Sequence, residues 1–151
     1  MVKLKAVISF VLVVVAVVVL TVGSVAEAKP PKKPATYTSE QIEQIQAYAS
    51  DIEALRDRLP ELASLIQDQN WVFVRNFIHG PLGEIRIKMV TFARNLLPDA
   101  QKQANQLAKE VFENLVAIDQ AAARKDYKAA IRNYSETVRD IEAFLQLAPQ
   151  S

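Results

Sequence analysis

The chain contains no cysteine, one histidine and three glycines among 151 residues. The first absence removes disulfide frameworks, thiolate nucleophiles and cysteine-rich zinc sites together. With His79 alone, a Ser–His–Asp constellation or a zinc centre with two or three nitrogen ligands has almost nothing to draw on. Too few glycines remain for a phosphate-cradling loop, and no EF-hand spacing occurs. The carboxylate pairs Glu40/Glu43 and Glu110/Glu113 fall at helical spacing on polar faces, where solubility and ion pairing account for them. No enzyme is expected, and no cofactor or metal.

Charge excess is also missing. Eighteen basic residues stand against 17 acidic ones, and 50% of the chain is hydrophobic. Nucleic-acid binding needs a cationic surplus that this chain lacks, whereas a packed core is well supplied. Any electrostatic partner must be met by a local patch.

What is present begins with the N-terminus. Lys3 and Lys5 precede an apolar run from Ala6 to Val22, and Ala26-Glu27-Ala28 offers an A-x-A site. This is the pattern of a secretory signal peptide, residues 1–28, with a retained membrane anchor as the alternative. Cleavage after Ala28 leaves equal numbers of basic and acidic residues. Residues 29–37, opening K-P-P-K-K-P-A, form a Pro/Lys-rich extended linker or an unstructured terminus.

Residues 38–148 predict four amphipathic helices. Thr38 with Gln41 fits a capping box, followed by Ile42, Ile45, Ala49, Ile52, Leu55, Leu59, Leu62 and Ile66 on one stripe. That stripe keeps phase through Pro60, which predicts a kink. A second stripe runs Trp71, Val74, Ile78, Leu82, Ile85, Met89, Phe92, Leu96, and Pro98 restarts the chain as a third helix to about Arg124. The third face carries Ala104, Leu107, Ala108, Val111, Phe112, Leu115, Ile118 and Ala122. Asp126 caps a fourth helix with Tyr127, Ile131, Tyr134, Val138, Ile141 and Leu145 inward. Short connections between such helices predict an all-α, up-down-up-down four-helix bundle.

The two glycines beyond the N-terminal segment bracket a proline in Phe77-Ile78-His79-Gly80-Pro81-Leu82-Gly83-Glu84-Ile85-Arg86. Either a loop divides the second helix here, or the helix continues with a kink whose bare backbone admits a neighbour. The unbroken stripe favours the kink. Arg75, His79 and Arg86 share one side of this helix; with Gly80, Pro81 and Gly83 they form a candidate docking surface for an acidic partner. Arg124, Lys128 and Arg132 form a second basic row at steps of four. Each row can equally be a solvated face.

The run from Trp71 to Pro98, above all H-G-P-L-G-E-I-R, resembles the PsbQ family in its cyanobacterial form. The likeness continues through Ile118-Asp119-Gln120-Ala121-Ala122, Asp126-Tyr127, Tyr134, Val138 and Phe144 to Pro149, covering the chain from about Ser39. It implies a four-helix bundle that is an extrinsic protein of photosystem II on the lumenal side of the thylakoid membrane. Its implied partners are the other extrinsic subunits and the lumenal domain of a chlorophyll-binding antenna protein. The implied role is to stabilise the oxygen-evolving manganese–calcium cluster and its calcium and chloride requirement without ligating it. One departure stands out: cyanobacterial relatives are typically lipoproteins, yet Ser24 stands where a lipid-bearing cysteine is expected. A competing expectation is an exported helical binding module or periplasmic chaperone, which needs a broader exposed apolar face than these stripes provide.

Overall fold

The computed structural model of the chain describes residues 36–150. The expected signal or anchor segment, and all of the linker except Thr36 and Tyr37, lie outside the described residues. Six helices occur among them, with no strand: α1 Ser39–Arg56, α2 Leu59–Gln67, α3 Trp71–His79, α4 Ile85–Arg94, α5 Pro98–Arg124 and α6 Tyr127–Leu145. No helix of the described residues is long and apolar enough to cross a membrane.

The six helices make four rods, because two of the four expected helices are interrupted. At the first break the chain stays right-handed: Asp57 has φ −64° and ψ −14°, and Arg58 has φ −90° and ψ −10°. Pro60 therefore sits in the first turn of α2, where its missing N–H is no loss, and the apolar stripe carries across in phase. Ile45, Ile52, Leu59, Leu62 and Ile66 are all buried. The α1/α2 rod lies against the α3/α4 rod, α1 touching α4 and α2 touching α3, as antiparallel neighbours do. Helix α5 covers both α3 and α4, and α6 packs along α5 and closes back onto α1 and α2.

Local chemistry sets the ends of these rods. The Thr38 N–H donates to Gln41 Oε1 at 2.9 Å while Gln41 N–H donates to Thr38 Oγ1 at 3.2 Å, a complete capping box. Asp126 Oδ1 accepts from Ala129 N–H at 3.0 Å and starts α6 as expected. Helices α2 and α5 both end in left-handed residues, Gln69 at φ 52° and Lys125 at φ 58°. In each, the N–H groups of the left-handed residue and of the next one donate back to the last turn: Gln69 to Ile66 and Asn70 to Leu65, Lys125 to Ala122 and Asp126 to Ala121. These are Schellman closures made without glycine, at a local cost of about 1–2 kcal/mol each. Tyr37, assigned to the end of the linker, is half-buried against the bundle; its phenol accepts from Leu97 N–H at 3.0 Å.

Two expectations need correction. The Gly80–Gly83 segment is not a continuous kinked helix but a turn over residues 80–84 that separates α3 from α4. Gly80 adopts φ −95° and ψ −91°, Pro81 supplies no N–H, and Leu82 N–H reaches back five residues to Phe77 O at 3.1 Å. The stripe survives the turn nonetheless: Ile78, Leu82 and Ile85 are all buried. The bare glycine backbone makes room for the preceding turn, not for a neighbouring helix.

The second correction is the face of α6. Ala130, Thr137, Asp140, Ile141, Phe144 and Leu145 are buried, whereas Tyr127 is exposed and Ile131, Tyr134 and Val138 are only half-buried. Ile141 and Leu145 hold to the expected stripe, and Ile131, Tyr134 and Val138 still pack against the core, so the buried face is shifted by part of a turn toward Ala130, Thr137 and Asp140. Asp140 is tolerated inside because Asn114 Nδ2 donates to its Oδ2 at 3.0 Å and Arg139 Nε donates to its Oδ1 at 3.2 Å. The same contact raises the Arg139 pKa, the Asp140 hydrogen bond being the largest cause. Thr137 Oγ1 donates to Asn133 O at 2.8 Å. No buried side-chain polar atom among the described residues is left unpaired.

Candidate functional site

Two members of the expected docking row, Arg75 and His79, share one acidic partner from another helix. Arg75 and His79 leave α3 on its polar side and turn toward α5, where Asp119 waits. Arg75 Nε donates to Asp119 Oδ1 at 3.0 Å, and His79 Nε2 lies 3.0 Å from the same oxygen. One carboxylate thus occupies two of the three basic groups. Asp119 is the more enclosed partner, with 21% of its side chain accessible against 50% for Arg75 and 66% for His79. An ion pair this wet contributes little, so Asp119→Asn is expected to lower stability by no more than about 1 kcal/mol in a urea titration. A larger loss would make the cluster a structural clamp.

Arg86 is placed differently. It is the second residue of α4; its guanidinium sits over the Phe112 ring, 4.5 Å from the centroid, and it has no ion-pair partner among the described residues. Stacking fixes the plane of the guanidinium while its edge N–H groups stay available to solvent.

Between the 80–84 turn and α5 runs an open groove of about 390 Å³. Ile78, Leu82, Ile85 and Leu115 form its floor, Phe112 and Val116 one wall, and His79, Arg86 and Asp119 its polar rim. Gly83 also lines it. A second depression of about 400 Å³ continues toward the end of the bundle between Trp71, Val72, Arg75, Ala122 and Lys125.

Of the residues proposed from the sequence, the structure brings His79, Gly83 and Arg86 to one groove and Arg75 to the next. Gly80 and Pro81 do not line either. Arg124, Lys128 and Arg132 are exposed but straddle the α5–α6 turn, with Arg124 on one helix and the other two on the next. Sequence reasoning missed Asp119 and Val116 as site residues, and assigned Phe112 and Leu115 to core alone. Their signal was weak: an isolated aspartate and an apolar excess on α5 wider than one stripe needs. Among the described residues, no group of three or more His, Asp or Glu side chains is placed to hold a metal ion.

The geometry defines a class: a small helical bundle that presents an amphipathic groove and, among the described residues, no assembled reactive centre. The chain belongs to the PsbQ family, described as oxygen evolving enhancer protein 3, whose model matches residues 5–149. It is 40% identical to CyanoQ of Synechocystis sp. (strain ATCC 27184 / PCC 6803 / Kazusa) over 150 residues, 99% of this chain and 98% of that one.

Proposed function

We propose that the chain is an extrinsic subunit of photosystem II, held on the lumenal side of the thylakoid membrane, that works by docking and carries out no catalysis. The observation that carries this reading is membership of the PsbQ family, with a relative aligned across almost the whole of both chains. In that role the bundle covers lumenal protein surface beside other extrinsic subunits and the antenna's lumenal domain. It stabilises the oxygen-evolving complex by slowing the loss of its calcium and chloride. A rigid core with a grooved, mixed-charge exterior suits such a task, because the action depends on shape and contact only.

The test is to purify photosystem II from the source organism and identify its polypeptides by mass spectrometry. The chain is expected in active, oxygen-evolving complexes, and its deletion is expected to increase their dependence on added calcium and chloride. Regular absence from active complexes in cells that express it would remove the reading.

A further inference from the structure

Exposed apolar surface on this bundle is not scattered. Six large hydrophobic side chains stand exposed among the described residues, and five of them belong to two adjacent rods: Val72, Phe73 and Ile87 on α3 and α4, Phe112 and Val116 on α5. The groove floored by Leu82 and Leu115 lies between those rods. Of these five, Phe112 and Val116 line that groove; single exposed apolar residues need no explanation, but two that wall a concave apolar floor mark a binding surface.

Charge narrows the occupant. Arg75 lies outside this groove, and Arg86 is the one arginine on its rim, with no ion-pair partner among the described residues. Its stacking on Phe112 has already restricted the side chain, so less freedom is lost when it receives a carboxylate. One oriented guanidinium beside an apolar slot suits a protein segment, whereas an anionic lipid surface is held by clusters of four to eight basic residues.

We infer that this groove takes a segment of an acidic partner protein, one apolar side chain entering between Leu82, Phe112 and Val116 while an aspartate or glutamate a few residues away pairs with Arg86. The inference rests on the proposed assembly role and names the face and contact that serve it. Arg86 is the charged anchor; Arg75, outside the groove, is paired with Asp119.

The experiment is rebinding of the full chain to photosystem II complexes stripped of it, measured across a salt series. Arg86→Gln and Val116→Gln are each expected to weaken binding about tenfold, and Arg86→Lys by less than Arg86→Gln. Arg86→Gln should also flatten the salt dependence, and the exposed control Lys102→Gln should bind as the unaltered chain does. Circular dichroism checks that each variant remains helical. If the unaltered chain fails to rebind, the assembly reading falls and this one with it. If it rebinds and both groove variants match it, or only Arg132→Gln weakens it, the groove assignment alone is wrong. Retention by vesicles containing phosphatidylglycerol that is lost with Arg86→Gln would make the occupant a lipid and overturn the proposal.

Discussion

Phe144→Ala is expected to lower stability by about 3–5 kcal/mol, the largest loss of any single truncation considered for this bundle. Phe144 is fully buried on α6, and its ring meets that of Phe92 on α4 at a centroid distance of 4.9 Å and an interplanar angle of 44°. The pair matters because α4 and α6 belong to rods that are not neighbours in the ring of four. The two rings span the centre and join opposite corners of the bundle. Truncating one removes a large buried side chain and leaves a hole that close-packed neighbours fill only in part. For a domain with total stability near 5–15 kcal/mol, such a loss takes a large share. Urea titration followed at 222 nm gives the number directly. A double-mutant cycle with Phe92→Ala should recover a coupling of about 0.5–1.5 kcal/mol from the ring–ring contact. A loss below about 1 kcal/mol for Phe144→Ala would show that the two rings do not meet in the core.

Most of the scaffold was legible from side-chain spacing, and the reasons are visible at particular residues. Thr38, Gln41 and Asp126 act through partners only three residues away, so the sequence contains both halves of each cap. The stripes on α1 through α5 were readable because large apolar residues decide which face is buried. On α6 that rule finds Ile141 and Leu145 but misses the rest of the buried face. There the missed residues are the small Ala130 and the polar Thr137, both fully buried, and Asp140, whose carboxylate accepts from Asn114 twenty-six positions away. The site fails to read out for a related reason. Arg75 and His79 look like free cations until α5 is laid beside them, and Asp119 is forty or more positions distant. Pairing between rods is a tertiary fact that neither periodicity nor charge patterning contains. The Gly-Pro-Gly turn lies between these cases. Its composition announced an interruption, while the continuous stripe on either side concealed its extent.

Gly83→Ala tests what that interruption is for. In a helix interior alanine is favoured over glycine by about 1 kcal/mol, so propensity alone predicts a gain. The turn predicts the reverse. A Cβ built at Gly83 would lie 2.7 Å from the His79 carbonyl oxygen and 3.2 Å from that of Gly80, and both obstacles are backbone. Gly83 does not have positive φ, so the conflict is steric, between one turn and the next. Relieving it means displacing the end of α3, for a net loss of about 1–3 kcal/mol. The consequence extends past stability, because His79 and Asp119 are 3.0 Å apart and the same groove is walled by both. Moving the His79 backbone shifts its imidazole relative to Asp119 and alters the polar rim of the groove. The variant should therefore show a lowered denaturation midpoint together with changed nuclear magnetic resonance signals from the His79 ring. Equal or increased stability with an unchanged imidazole would mean that the turn accommodates a methyl group freely. In that case the groove's shape would owe nothing to glycine, and the Gly-Pro-Gly run would serve only to end α3.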